Sequence, residues 1–174
     1  EDRLLQVGAY VRDNGLEGDG EYRAARDMLR CRTPRLVGHI DGQPLRREDE
    51  TAGEAALRLV TELDHSCLAI QGPPGSGKTW IGGRMILELV RQGKTVAVTA
   101  NSHKVIGNLL DNVYEAQADY AQFAGQPVRI RQKPSGSKDP TCRYADSIGD
   151  AEDVAAAFLE GTVYVVGGTS WLWA

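Results

Sequence analysis

The chain has 174 residues, 41% of them hydrophobic, which suffices for one globular unit with appendages and is cramped for two full domains. Lys and Arg number 20 against 24 Asp and Glu, so the net charge of -4 excludes a generally basic nucleic-acid coat, and any such partner must be met by a local patch. No apolar run approaches the roughly 18 residues that span a bilayer, the amino terminus lacks a signal-type core, and Cys31, Cys67 and Cys142 fall in no zinc spacing, so a soluble, cytoplasmic protein with reduced thiols and no membrane partner is expected.

EDRLLQ, at residues 1–6, reads as the interior of a helix, and GEYRAARDMLRCR, at 20–32, predicts a second helix before Pro34. RLVGHIDGQP is a short apolar stretch ending in a Gly/Pro turn. Residues 1–48 are therefore expected to form a helical approach segment. In the next segment, Ala55, Ala56, Leu59, Val60 and Leu63 recur at helical spacing behind an acidic start.

From there four short apolar runs, CLAIQG, TVAVTA, PVRIRQ and TVYVVGG, alternate with helical patterns. The helices are GKTWIGGRMILELVRQG, closed by Gly93; SHKVIGNLLDNVYEAQ, with Val105, Ile106, Leu109, Leu110 and Val113 on one face; and DAEDVAAAFLEG, capped by Asp150 and ended at Gly161. This alternation predicts that residues 49–174 form an α/β domain, a parallel sheet flanked by helices, with its ligand site at the carboxyl ends of the strands.

Residues 70–80, IQGPPGSGKTW, carry G-x-x-x-x-G-K-[ST] between an apolar run and an amphipathic helix. Glycines at 72, 75 and 77 let backbone N–H groups converge on phosphate oxygens, and the helix amino terminus adds favourable potential. The loop Gly72, Pro73, Pro74, Gly75, Ser76, Gly77, Lys78 and Thr79 is thus expected to hold a purine triphosphate. Lys78 would lie on the β- and γ-phosphates and the Thr79 hydroxyl on magnesium, making these two the catalytic candidates. Pro73 and Pro74 stiffen the loop, and Trp80 reads as helix-surface packing outside the site.

With these pieces in order, the chain resembles superfamily 1 helicases, in the branch of the RNA-surveillance helicases and the RecB-like nuclease-helicase fusions. LAIQGPPGSGKTW is similar to helicase motif I, VAVTANSHKVIGNLL to motif Ia, and VYVVGGTSWL to motif Ic. The resemblance runs from about Ala52 to the carboxyl end. It implies a P-loop NTPase domain of RecA-like fold, present only in its amino-terminal part, that binds ATP with Mg2+ and contacts single-stranded DNA or RNA. Asn101, Ser102 and Thr169, at strand ends, would meet nucleic-acid phosphates; Ser102 can equally serve as a helix cap, Thr169 as a strand-end turn residue and His103 as a solvated first-turn residue.

The stretch VRIRQKPSGSKDPTCR offers Arg129, Arg131, Lys133, Lys138 and Arg143 as a second contact surface or as a solvated face, with Arg129 and Arg131 leaving one side of a strand together. No later strand ends in an Asp-Glu pair and no second RecA-like domain follows, so the chain is expected to hold nucleotide while being deficient in hydrolysis. The rest of a parent helicase, with or without a nuclease domain, would be its partner. A small P-loop phosphotransferase of the nucleotide-kinase type and a non-catalytic nucleotide-gated module are the alternatives.

Overall fold

A computed structural model describes residues 2–40, 42–136 and 138–173. The chain divides into two compact units, one ending at Gln71 and the other spanning Gly72–Trp173.

The first unit holds α1 (Asp2–Asn14), α2 (Arg23–Leu29) and α3 (Ala52–Glu62). Thr51 starts α3 with a capping box: its hydroxyl accepts from the Glu54 N–H, and the Glu54 carboxylate accepts from the Thr51 N–H. The α3 face expected from its spacing turns Ala55 and Leu59 into a small core with Leu36, flanked by Leu45, Leu63 and Leu68. A single antiparallel bridge between Leu36 and Leu63 holds the expected apolar stretch against the end of that helix.

Two buried ionic groups organise the remainder. The Arg26 guanidinium, 2% exposed, donates to the carbonyls of Leu16, Glu17, Gly18 and Gly20, so one side chain satisfies a whole turn of loop backbone. Asp27 pairs with Arg35 at 2.5 Å and accepts from the Ser66 hydroxyl.

In the second unit the chain is α/β. Helix α4 (Lys78–Arg91) is followed by β1 (Val96–Val98), α5 (His103–Ala116), β2 (Ile130–Gln132), β3 (Asp146–Ser147), α6 (Ala151–Leu159) and β4 (Val165–Gly167). The four strands form an all-parallel sheet in the order β1-β4-β2-β3. Alternation along β4 places helices on both faces: Val165 joins the core made with α4 and α5, whereas Val166 joins the core under α6. Ile106, Leu110 and Val113 of α5 are fully buried, each contributing about 1.5–3 kcal/mol, and Asp150 caps α6 as expected by accepting from the Glu152 and Asp153 N–H groups.

Three expectations need correction. CLAIQG carries no strand among the described residues; an apolar run supplies side chains for a ladder but cannot specify the partner whose N–H and C=O groups complete it. β3, which is short and polar, was absent from the expected strands. Val105, placed on the buried face of α5, is 56% exposed, because the inward stripe runs through Ile106, Leu110 and Val113 and leaves it at the margin.

Candidate functional site

Gly75 and Gly77 take left-handed conformations at φ 80° and 83°, where a side chain would be strained, and Gly77 passes the chain directly into α4. Between Gly72 and Gly77 the loop closes on itself, with the Ser76 N–H donating to the Pro73 carbonyl at 3.2 Å. A Cβ at Gly72 would lie 2.5 Å from the Ser76 Oγ. Glycine at 75 and 77 is therefore required by the path of the backbone, whereas a side chain at 72 would displace the Ser76 hydroxyl.

From the first turn of α4, Lys78 reaches back over the loop and donates to the carbonyls of Gly72 at 2.5 Å and Pro73 at 2.8 Å. Thr79 is exposed beside it, and no acidic residue lies in the first turn to oppose an anion. Trp80 is covered by the Arg84 guanidinium, 3.7 Å from the ring centroid.

The strand ends form one edge, because Val98, Gly167 and Gln132 are register partners. Asn101 and Ser102 follow β1, Gly168 and Thr169 follow β4, and Lys133 follows β2 on that edge. Its loops are tied by bonds from the Gly168 N–H to the Val98 carbonyl and from the Lys133 N–H to the Gly167 carbonyl. Residues 92–95 alone separate α4 from β1, so the carboxyl terminus of α4 sits at the amino edge of the sheet. Its amino terminus, with Lys78, lies about 20 Å away toward the carboxyl edge.

Ser102 occupies the N-cap position of α5 without a side-chain capping bond, and Thr169 likewise precedes a short 3-10 turn without one. Both hydroxyls are thus left uncommitted to helix capping. The Nδ1 of His103 is buried and has no hydrogen-bond partner among the described residues.

The basic stretch does not gather at this edge. Arg129 and Arg131 do leave one side of β2, but that side faces α6. Arg129, at the amino end, donates to the Gly161 carbonyl at 2.5 Å, and Arg131 lines a small cavity with Asp153 and Glu160. Arg143 is engaged by Asp111 and Glu115 at 3.1 and 2.5 Å. Burial pushes the Asp111 carboxyl up, but the Arg143 N–H, the Cys142 thiol and the Arg143 guanidinium outweigh it and hold the carboxyl below its ordinary value.

A buried network supporting this edge was not foreseen. Gln132, 0% exposed, donates from Nε2 to the His103 carbonyl at 3.2 Å and the Thr141 hydroxyl oxygen at 2.8 Å, and accepts the Cys142 N–H at 2.8 Å. Thr141 also donates to the His103 carbonyl at 2.5 Å. The network fixes the first turn of α5 against the end of β2. Its sequence signal was position: Gln132 continues the inward alternation of Val128 and Ile130. Gly107 permits the same approach, since a Cβ there would meet the Thr141 backbone carbon at 2.7 Å and the Cys142 nitrogen at 2.8 Å.

The three cysteines are free, and among the described residues no group of three or more His, Cys, Asp or Glu could hold a metal ion and no helix is long and apolar enough to cross a membrane. No protein-family model matches the chain, and neither does any curated protein or solved structure.

Proposed function

We propose that the second unit is a RecA-like nucleotide-binding domain of the superfamily 1 helicase type, holding ATP with magnesium at Gly72–Thr79 and single-stranded nucleic acid at the carboxyl edge of its sheet. One observation carries the reading: a loop with left-handed glycines at 75 and 77 runs into the amino terminus of α4, and Lys78 bridges back to its opening carbonyls. Backbone N–H groups of that loop and the Lys78 ammonium suit the phosphates, and the Thr79 hydroxyl is the group available to a magnesium ion bound with them. The metal would neutralise phosphate charge; the chain's own part is to bind and orient the nucleotide.

The placement of the arginines favours the helicase-type reading over a phosphotransferase. A kinase of that kind needs several guanidinium groups converging on the donor phosphates. Here Arg143 is held by Asp111 and Glu115, while Arg129 and Arg131 lie on the α6 side. At the carboxyl edge, the uncommitted Ser102 and Thr169 hydroxyls and the first turn of α5 suit phosphates of any sequence.

Calorimetric titration of the chain with ATP and magnesium, followed by the same titration with nucleoside monophosphates, tests the proposal. Saturable heat for ATP supports it. Absence of ATP binding at millimolar ligand sinks it, and phosphate transfer to a monophosphate turns the assignment to the phosphotransferase.

A further inference from the structure

At the opposite end of α4 from Lys78, a cavity of about 750 Å³ opens at the amino edge of the sheet. Val90, Arg91 and Gly93 supply one wall, Gln122, Phe123 and Gln126 another, and Pro127, Val128, Arg129 and Tyr164 complete it. Its volume falls in the range of small-molecule sites, roughly 300–1,000 Å³. The nucleotide reading makes no use of it.

Its chemistry is one-sided. Five lining side chains are apolar or aromatic: Val90, Phe123, Pro127, Val128 and Tyr164. Two are guanidinium groups, and no carboxylate lines the cavity among the described residues. Neither arginine is fully used. Among the described residues Arg91 uses only its Nε, on Glu88 at 2.8 Å, and Arg129 only its Nη2, on the Gly161 carbonyl.

Arg129 is also held in place, with its guanidinium 5.0 Å from the centre of the Tyr164 ring, so one of the two forks is preorganised. Glu88 neutralises one of the two guanidinium charges through Arg91, and the carboxyl terminus of α4 contributes about half a negative charge at the rim, so a net positive charge of about one half is left, carried by Arg129. The amides of Gln122 and Gln126 add neutral donors and acceptors.

We infer that this cavity binds a small amphipathic carboxylic acid. The carboxylate meets the free N–H groups of Arg91 and Arg129, and an aromatic or aliphatic body lies on Phe123, Val128 and Tyr164. A planar carboxylate matches the guanidinium fork, and the apolar walls supply the area that a bare inorganic anion would leave wet. This site is independent of the proposed nucleotide site, and α4 separates the two by its whole length.

The test is a titration of the isotopically labelled 174-residue chain with 4-phenylbutyrate and, separately, with the uncharged 4-phenylbutanamide, read by backbone amide chemical shifts. The carboxylate should shift the amides of Gly93, Gln126, Arg129 and Tyr164 saturably and leave those of Gly75–Thr79 in place. The uncharged amide should bind at least about tenfold more weakly, since each charge-assisted contact carries roughly that factor or more. In R91Q/R129Q the preference for the carboxylate should vanish. R91Q alone, at a residue whose side chain is 48% exposed, should keep the fold and reduce the preference. Equal binding of the two probes, an unchanged preference in R91Q with a native spectrum, or no saturable shift at these amides overturns the inference.

Discussion

The ammonium of Lys78 lies 2.5 Å from the carbonyl oxygen of Gly72, the residue that opens the loop Lys78 closes. Loop and lysine therefore form one ring of contacts, and an entering phosphate would take over a cation already positioned by the backbone. Lys78→Ala removes the only cation between Gly72 and Thr79 and leaves the glycine turns intact. ATP affinity should fall by about tenfold to a hundredfold with an unchanged circular dichroism spectrum, as expected for losing a charge-assisted contact. Calorimetry on the variant decides, and retained affinity would remove Lys78 from the site.

The carboxyl edge of the sheet carries Lys104, exposed in the first turn of α5, and Lys133, directly after β2. Arg129 and Arg131 lie on the α6 side instead. If single-stranded nucleic acid follows this edge, K104A/K133A should flatten the log-log salt slope of oligonucleotide binding by about 1.4, at about 0.7 for each phosphate contact on a single strand. R129A/R131A should leave it unchanged. Fluorescence titrations over a salt series separate the two, and the reverse pattern would move the track to the α6 side.

In the first unit, Glu50 is bound by Arg58 Nε at 2.5 Å and by the Arg47 N–H at 2.9 Å. Chiefly the Arg58 hydrogen bonds, with the Arg47 N–H second, bring its pKa from 4.5 down to about 2. A carboxyl depressed in the folded state stabilises that state above its unfolded value and ceases to as pH falls. Melting temperature should accordingly drop between pH 4.5 and 2, and Glu50→Gln should make the drop in that window shallower. Thermal denaturation at steps of half a pH unit reads the difference.

Gln132 is the keystone of the buried network, and truncating it strands the Cys142 N–H and removes a partner from the His103 carbonyl. Gln132→Ala should destabilise the second unit by about 2–3 kcal/mol, measured by urea denaturation, because an unsatisfied buried polar group costs more than the bond it made was worth. A change within 0.5 kcal/mol would mean that water replaces the amide.

Burial above all pushes the Cys142 thiol up to about 12, whereas Cys31 is exposed. Only a thiolate is alkylated, so at pH 8 iodoacetamide should label Cys31 rapidly and Cys142 only after denaturation. Mass spectrometry of the labelled peptides checks the order.

Much of this architecture is legible in residue patterns, and the exceptions share a cause. The loop at 72–79, the inward stripe of Ile106, Leu110 and Val113, and the cap at Asp150 are all local, set by spacings of a few residues. The unpaired run CLAIQG and the polar strand Asp146–Ser147 depend on which distant segment supplies a ladder, and periodicity carries no such information. Arg129 and Arg131 show the limit most directly. Alternation puts both on one side of β2, but only their packing shows that α6 covers Arg131 and that Arg129 lies at the amino end, against Gly161 and Tyr164.

The position of β4 has a kinetic consequence. β1 and β2 share no ladder; each bonds only to β4 on their facing sides, and Val165 reaches Val96 across all of α5, β2, β3 and α6. Until the last of the four strands is threaded between them, both carry open edges, with Val98 and Ile130 destined for a core that cannot yet close. Folding is thus gated by a long-range event, slow in relation to the helices, and the species awaiting it is the one most prone to pair with another chain.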